Sequence, residues 1–456
     1  MSSYPKAGLQ LAVALFALAA MNLLFTPSVI AAASTVIDAT KAGVIGDGMT
    51  LNTASIQKVI DDCAAGGGGT IHFPAGRYLT GTIQIKNNIT LRLAKDATLL
   101  GSTDIADYLN LDPFLDGPGD PMGYALVVAV DAENVGIEGE GTIDGQGREL
   151  RARQSPYKKR PFLVRWVRCT RVKVRDVHLT HPGAWTLNFF QSKGILVEGV
   201  TIRTRDSGVN NADGIDLDSC QDARITRCDI ESGDDALCLK STSLTPTRNI
   251  TATNLTLSTW CNAIKLGTES IGGFENISVS NCRVTTAGMA GIALYAVDGG
   301  DLRAVTISDI TMDRVGTPVS IRRGARFKTF RDGDRPKTTP GKLAGVTIKN
   351  LSATNSATSG ILINGIPGYP VETLLLENIQ IEVPGGGTAE DARIQLSENE
   401  NGYPENRMFG ATLPTYGIYA RHVRGAAFKN IKVKTQQPDG RPEKVFIDVE
   451  TVEPAP

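Results

Sequence analysis

Aromatic residues, histidine and net charge are all scarce in this sequence of 456 residues. Phe, Trp and Tyr make up only 6% of the chain, so the core must be mostly aliphatic. The four histidines are scattered, and no His/Cys cluster or C-x-x-C pair has the spacing of a zinc site. With 47 basic and 48 acidic residues the net charge is −1, which gives no electrostatic basis for binding nucleic acid.

Long apolar runs are also missing, except at the N-terminus. Residues 9–25 form an apolar stretch that follows Lys6 and precedes the small residues Ala31 and Ala33. This order is typical of a signal peptide with an A-x-A cleavage site. The sequence therefore predicts a leader over residues 1–33, export to the extracellular space or the periplasm, and no stable membrane association. An uncleaved membrane anchor is the alternative, although a spanning helix needs about 20 apolar residues.

What the chain does contain is a repeat. Eight segments share a period-2 strand pattern, a break at a turn-like residue such as Asn, Asp or Gly, and then an apolar residue. The resuming apolar residues are Val177, Val200, Cys228, Leu255, Cys282, Ile310, Leu351 and Ile379. Successive steps are 23, 28, 27, 27, 28, 41 and 28 residues, and such regular steps are typical of a solenoid.

Each repeat unit consists of short strands with no amphipathic helix between units. This composition excludes ankyrin and tetratricopeptide repeats and predicts an all-β, parallel β-helix over residues 34–456, with coils stacked about 4.8 Å apart. We expect residues 53–64 to form a helix that caps the first coil. Two insertions, residues 321–342 and 383–425, precede the last repeat at 428–433. An antiparallel sandwich or propeller is the alternative, but hairpin signals are too few for it.

Stacking also constrains the seven cysteines, of which at least one must be unpaired. Export permits disulfides. Cys228 and Cys282, however, share a column of the repeat with Leu255 between them, two strand spacings or about 9.6 Å apart. A disulfide needs Cα atoms within about 7 Å of each other, so we expect these two residues to be packed core thiols.

Three turns rich in aspartate, residues 210–219, 231–241 and 261–270, occupy equivalent places in successive coils. Strand alternation places Asp216, Cys238 and Lys265 on the outward side of one sheet. Asp213 and the pair Asp234–Asp235 then lie at the turn that enters this sheet.

Carboxylates on neighbouring coils repel one another, which raises the pKa of at least one of them. A neutral acid beside ionised carboxylates is the arrangement that glycoside hydrolysis requires. Two other interpretations stay open: a solvated aspartate ladder whose members cap their own turns, and a calcium site built from the same carboxylates.

At these residues the chain resembles the polygalacturonase family, glycoside hydrolase family 28, whose members are single-stranded right-handed parallel β-helix enzymes. The N-terminal segment 46–78 is similar to the start of such chains. The family's N-T-D motif corresponds to Asn211-Ala212-Asp213 with Asp216 after it, and its G/Q-D-D motif to Gly233-Asp234-Asp235.

The resemblance implies a secreted hydrolase that degrades pectin or a related cell-wall polysaccharide, without a cofactor or metal and as a monomer. Asp234 would be the general acid, and Asp213 with Asp235 would position and deprotonate the attacking water. The reaction would invert the anomeric carbon, with the carboxyl groups about 6.5–9.5 Å apart.

Two departures from the family pattern affect substrate binding. The family histidine of G-H-G is replaced by Asn262, and His181 is a candidate source of an imidazole. The cationic R-I-K motif is replaced by Ala293-Leu294-Tyr295. We expect Lys265 with Arg322 or the neighbouring Arg323 to rebuild a carboxylate site, and Tyr295 to stack on a sugar. Asn211, Asp216 and Asn262 complete the predicted substrate-binding set, and these changes favour rhamnogalacturonan or a branched pectin as substrate.

Two other functional classes remain. A β-helix polysaccharide lyase would use calcium and take Lys265 or Arg322 as its base. A non-catalytic carbohydrate-binding β-helix would tolerate the loss of the family histidine and of R-I-K.

Overall fold

Residues 35–116, 119–331, 333–357 and 359–452 are described by a computed structural model. The predicted leader, residues 1–33, lies outside the described residues. In the described ranges, no helix is both long enough and apolar enough to cross a membrane.

The described chain is built almost wholly from strands. In chain order, strands β1 to β31 are Val36–Asp38, Gly69–Phe73, Gly76–Thr80, Ile83–Gln84, Ile89–Leu93, Ala97–Gly101, Asn110–Leu115, Pro121–Val130, Glu133–Glu138, Thr142–Asp144, Phe162–Val167, Thr170–Arg175, His178–Thr180, Leu187–Phe190, Lys193–Glu198, Thr201–Arg203, Ile215–Asp218, Gln221–Thr226, Asp229–Ser232, Leu237–Ser241, Thr247–Thr253, Thr256–Thr259, Ile264–Ser270, Phe274–Ala296, Leu302–Asp313, Val315–Arg323, Leu343–Thr354, Ile361–Asn364, Val371–Val383, Ile418–Thr435 and Lys444–Thr451. The helices are Thr53–Ala65 and Gly147–Ala152, with single 3-10 turns at Ile105–Asp107 and Asp391–Arg393.

Successive coils pair in parallel, and each coil supplies one strand to each of three columns. One column runs β9–β12–β15–β18–β21 and a second β10–β13–β16–β19–β22. The third column, here called the site sheet, runs β11–β14–β17–β20–β23 and continues into β24, β26, β28 and β30. The prediction of a right-handed parallel β-helix is confirmed.

Register within the site sheet follows the predicted alternation. Ile215, Leu237 and Ile264 stack on one another and are fully buried in the aliphatic core. Asp216 pairs with Cys238, and Cys238 with Lys265, on the outward side. Because side chains alternate with period 2, this register places the polar set of three coils in one outward row.

The break residue of each repeat adopts a left-handed backbone. Asn254, Asn281 and Asp309 have φ angles of 59°, 53° and 58°. Asn and Asp tolerate this conformation better than other residues with a side chain, because they bond locally to the backbone. In addition, the side-chain amide of Asn281 donates to Asn254 Oδ1 on the preceding coil. The turn residues that revealed the repeat are therefore those that the backbone requires.

The structure corrects several boundaries. The N-terminal helix is one residue longer than predicted and ends at Ala65, and the helix Gly147–Ala152 was not predicted. The second insertion is shorter than 383–425, because strand β30 resumes at Ile418. A further strand, Lys444–Thr451, pairs in parallel with β30 beyond the predicted last repeat.

All seven cysteines are free. Cys228 and Cys282 are buried at 2% and 3% exposure in the aliphatic core, as the stacking argument predicted. Stability of this solenoid therefore depends on apolar burial and strand pairing rather than on disulfides among the described residues.

Candidate active site

The site begins with one position that recurs two residues before each strand of the site sheet. Asp213, Asp235 and Asn262 occupy it in three successive coils. The N–H of Gly214 donates to the carbonyl of Asp235 at 2.8 Å, and that of Ala236 to the carbonyl of Asn262 at 2.9 Å. Asp235, rather than Asp234, is therefore stacked on Asp213, while Asp234 lies beside this row.

Asp235 is a tightly held anion. Its Oδ2 accepts a hydrogen bond from Lys265 Nζ at 2.7 Å, and its Oδ1 accepts from the side-chain Nδ2 of Asn262 at 2.7 Å and the backbone N–H at 3.1 Å. Burial raises the pKa of Asp235, but the charges of Lys265 and Lys240 together with these hydrogen bonds lower it below its ordinary value overall. Asn262, which replaces the family histidine, thus fixes the orientation of this carboxylate.

Asp234 has the opposite electrostatic character. It is half-buried, and burial together with the charge of Asp235 raises its pKa above the ordinary value, although Lys265 opposes this shift. Cys261 lies beside the pair, and one donor atom from each of these three residues lies within 4.8 Å of the others. Two carboxyl groups that are adjacent in the chain therefore have pKa values shifted in opposite directions.

A second lysine, Lys240, forms ion pairs with the other carboxyl groups of the site. Nζ of Lys240 lies 3.6 Å from Asp213, 3.7 Å from Asp216 and 3.4 Å from Glu269. The same ammonium group is 4.6 Å from the centre of the Trp185 ring. All of these side chains are buried, so their mutual attraction is weakly screened.

The pKa values of the three carboxyl groups around Lys240 are shifted in different directions. Burial raises the pKa of Asp213 well above its ordinary value and that of Asp216 to about 7, with Lys240 opposing the shift of Asp216. Burial also raises the pKa of Glu269, but Lys240, Lys265 and Arg326 lower it to about 2. At neutral pH Glu269 is therefore ionised, whereas the pKa of Asp213 lies well above its ordinary range.

The structure brings most of the predicted residues together. Asp213, Asp216, Asp234, Asp235, Asn262 and Lys265 all belong to the network described above. Asn211 lies two residues before Asp213, but its Oδ1 accepts from Arg160 Nη1 at 2.7 Å, and Arg160 also pairs with Asp116 at 2.8 Å, so its hydrogen bond is to a separate ion pair. Asp216 has no exposed surface, so its contribution is to the charge of the cluster rather than to direct substrate contact.

Two predicted sugar contacts are wrong for this structure. Tyr295 is only 1% exposed, and its hydroxyl group lies 3.1 Å from Ser320 Oγ, so its ring has no free face for stacking. Arg322 is 2% exposed and donates to the backbone carbonyls of Gly365, Glu398 and Asn399. The apolar neighbours of Tyr295 and the carbonyls around Arg322 explain why neither side chain reaches the cleft.

Arg323 is also occupied elsewhere, since it donates to the carbonyl of Gly341 at 2.7 Å and pairs with Glu372 at 3.1 Å. His181 contacts Asp144, with 3.1 Å between Nδ1 and Oδ1. This hydrogen bond raises the pKa of His181 above its ordinary value. The structure therefore gives His181 an acidic partner outside the network of Asp213, Asp234 and Asp235.

Sequence reasoning missed Lys240, Glu269 and Tyr403. Lys240 could have been predicted from the sequence, because the alternation that places Cys238 on the outward side of the strand also places Lys240 there. Glu269 follows a cis peptide between Gly267 and Thr268, where the strand register shifts. Tyr403 lies close enough to Lys265 for that charge to lower its pKa, although burial raises the pKa overall. It comes from an insertion, and no repeat pattern indicates where an insertion lies.

Two groups bring metal-binding atoms together, Asp213 with Asp216 and Cys238, and Asp234 with Asp235 and Cys261. Calcium prefers six to eight oxygen ligands. Each group here contains a thiol and has a lysine ammonium beside it, so both lysines compete with a cation for the carboxylates. The donor set therefore fits acid–base chemistry better than calcium binding.

The chain was compared with known proteins. A family model, Glycosyl hydrolases family 28, matches residues 63–400. A probable polygalacturonase of Vitis vinifera is 28% identical over 366 residues, which cover 75% of this chain and 73% of the relative. An exo-poly-alpha-D-galacturonosidase of Dickeya chrysanthemi is 23% identical over 382 residues, 71% of this chain and 63% of the relative. The solved family 28 exopolygalacturonase of Yersinia enterocolitica superimposes with a TM-score of 0.74 at 19% identity, covering 93% of this chain and 79% of that one.

Lys240→Met tests the buried ion cluster. Removing the ammonium group leaves several buried carboxyl groups without a counter-charge, and we expect a loss of about 3–5 kcal/mol in the free energy of unfolding near neutral pH. Urea-induced unfolding measures this loss.

The loss should depend on pH with a definite sign. Lys240 helps to hold the folded-state pKa of Glu269 at about 2, and its removal raises that pKa, so destabilisation is complete above the folded pKa of the variant and shrinks as the pH falls towards about 2, where Glu269 is protonated in both proteins. Lys193→Met is the matched control, because Lys193 is exposed and lies 3.6 Å from Asp222 on the surface. A pH-independent loss in Lys240→Met, or an equal loss in the control, would contradict the ion-cluster interpretation.

Proposed function

Because the chain belongs to glycosyl hydrolases family 28, we propose that Asp234 and Asp235 are the acid and the base of its hydrolytic reaction. The family makes it a polygalacturonase-like glycoside hydrolase with a polysaccharide substrate. The observation that carries the assignment is the opposite pKa shift of two adjacent carboxyl groups, raised for Asp234 and lowered for Asp235.

Asp234 protonates the leaving glycosidic oxygen. Its carboxyl group is the one at the cleft that remains half-buried rather than fully buried, and its raised pKa keeps the proton available at mildly acidic pH. Asp235 stays ionised and accepts the proton of the attacking water. Burial and the neighbouring acids raise the pKa of Asp213 well above its ordinary value, so we assign it to orienting the water by hydrogen bonding rather than to removing its proton.

We propose a single displacement that inverts the anomeric carbon. The predicted carboxyl separation of about 6.5–9.5 Å is not found between Asp234 and Asp235, whose nearest donor atoms lie within 4.8 Å. The inverting assignment rests on the family resemblance instead. Oδ1 of Asp235 accepts two hydrogen bonds from Asn262, whereas Oδ2 accepts one from Lys265, so Oδ2 keeps one acceptor site for the attacking water.

The substrate is proposed to be pectin or a pectin-related polysaccharide. Ala293 and Tyr295 replace the cations that would grip a galacturonate carboxylate, and both are buried. Lys265 is bound to Asp235 instead. This loss of cations favours rhamnogalacturonan or a branched pectin over plain polygalacturonate, and the predicted leader favours a secreted enzyme.

The lyase alternative lacks a suitable base. Burial lowers the pKa of Lys265, but Asp235 raises it well above the ordinary value overall, so Lys265 keeps its proton. Arg322, the second candidate, is bound to backbone carbonyls. Family membership likewise favours a hydrolase over a non-catalytic binder.

Asp234→Asn tests the general acid. The amide cannot protonate the leaving oxygen, so we expect kcat to fall by about 10²–10⁴ in a reducing-end assay on a panel of polygalacturonate, rhamnogalacturonan and branched pectins. Binding, measured by calorimetry, should be unchanged. The control is Asp229→Asn, because Asp229 is exposed and pairs with Arg203 at 2.6 Å. Full turnover of plain polygalacturonate by the wild-type enzyme, with no turnover of the branched pectins, would contradict the substrate assignment. Full activity of Asp234→Asn would contradict the assignment of Asp234 as the general acid.

Lys265→Met should move the acid limb of the pH profile. Activity disappears as the pH falls through the pKa of Asp235, because the base becomes protonated. Losing the Lys265 charge raises that pKa, so the acid limb of kcat/KM should shift upward by about 1–3 pH units. Lys173→Met, which removes an exposed lysine, should leave the profile in place. A reduced rate with an unmoved acid limb would refute Asp235 as the base.

Product stereochemistry tests the displacement. Proton NMR of the first product formed, before mutarotation, should show the anomer opposite to that of the substrate linkage. Retention of configuration would instead indicate a covalent intermediate and assign Asp235 as a nucleophile.

A further inference from the structure

Three segments outside the repeat surround the carboxylate cluster and are here called the collar. They are the hairpin, residues 110–116 with 119–122, the strap, residues 324–331, and the loop, residues 396–409. Each segment is fastened to the site sheet by buried arginines or apolar packing.

The hairpin covers the coils before the cluster. Arg165, on the outward side of β11, is fully buried and donates to the carbonyls of Leu111 at 2.6 Å and Asp112 at 3.0 Å. Phe114 packs against the ring of Trp185, with 5.8 Å between ring centres. The outward face is therefore closed immediately upstream of Asp213.

The loop covers the coils after the cluster. Arg322 donates to the carbonyls of Glu398 at 3.0 Å and Asn399 at 2.8 Å. Arg421 holds the two preceding carbonyls at 2.8 and 2.7 Å. Both guanidinium groups also lie over the ring of Phe409, at 5.6 and 5.5 Å. Four hydrogen bonds to consecutive carbonyls hold this segment flat on the sheet.

The strap joins the other two segments. The N–H of Ala325 donates to the carbonyl of Glu400 in the loop at 2.8 Å, and the N–H of Leu115 in the hairpin donates to the carbonyl of Phe330 at 3.1 Å. Arg331 lies 3.9 Å from the centre of the Phe190 ring. Backbone hydrogen bonds thus make the collar continuous along one long side of the cluster.

In the described part of the chain, the coils after the cluster bury their outward positions. These positions, occupied by Ala293, Ser320, Leu362 and Tyr419, are at most 2% exposed. More exposed side chains lie at the opposite edge, where Asp234 and Cys261 are half-buried and Trp260 is 56% exposed. The three coils that carry the cluster span about 9.6 Å from the first strand to the third, and Asp234 brings the cluster to this edge.

We propose that the enzyme is exo-acting, removing a small saccharide from one end of its polysaccharide substrate. The inference rests on the hydrolytic function proposed above. A chain end enters past Trp260 and Asp234 and stops against the collar. An internal segment would have to continue through the hairpin or the loop, both of which are anchored by buried arginines. Tyr403, whose ring is 51% exposed beside Arg326, stands where strap and loop meet and forms the inner wall.

The test is a product profile, by mass spectrometry, on unlabelled pectic oligosaccharides of defined length, together with the viscosity of polymeric pectin. At the first time point and at every length we expect one small saccharide of constant size and the substrate shortened by that unit, and a slow fall in viscosity per bond cleaved. Several product sizes released together at early times would overturn the exo assignment and leave the hydrolytic function standing. Absence of hydrolysis on every substrate would overturn the proposed function and this inference with it.

Arg421→Ala tests the collar itself. Releasing two carbonyl anchors should loosen the loop, so the variant should release longer oligosaccharides in addition to the small product. Arg424→Ala is the matched control, because Arg424 lies on the same strand, is half-exposed and bonds to Asp448 instead. An unchanged product profile in a folded Arg421→Ala variant, verified by circular dichroism, would contradict the role of the loop as the end wall.

Discussion

Two buried ammonium groups set the charge of every carboxyl group in the site. Lys265 is bonded to Asp235 at 2.7 Å and keeps it ionised, while Lys240 lies 3.4–3.7 Å from Glu269, Asp213 and Asp216. With so many acids in a buried space, some must hold a proton, because like charges at short range cannot all ionise. The asymmetric position of the two lysines lowers the pKa of Asp235 and Glu269, while burial raises that of Asp213 and Asp234.

The coil geometry makes this asymmetry possible. Parallel stacking converts residues about one coil apart in sequence into neighbours about 4.8 Å apart. The repeat therefore allowed the fold, the inward and outward residues and the grouping of Asp213 with Asp234 and Asp235 to be predicted from sequence. It would also have revealed Lys240, two residues after Cys238 on the outward side, had the alternation been followed to the end of the strand.

The contacts made by the insertions could not be predicted from the repeat. A repeat predicts contacts between adjacent coils, whereas Arg331 pairs with Asp112 from a position 219 residues later in the chain. Nothing periodic indicates such a contact. For this reason Arg322 or Arg323 of β26 was predicted to bind substrate, although both use their donors on backbone carbonyls.

The loss of the family's R-I-K motif and the presence of the loop form one structural change. An arginine and a lysine at positions 293 and 295 would be buried under the loop without solvation, a costly arrangement for two cations of like charge. Ala293 and Tyr295 instead form a small apolar cluster with Ala290. The loop thus requires apolar residues at the positions where the family has cations. At this end of the cleft, the loop closes the space that a carboxylate-binding site would occupy.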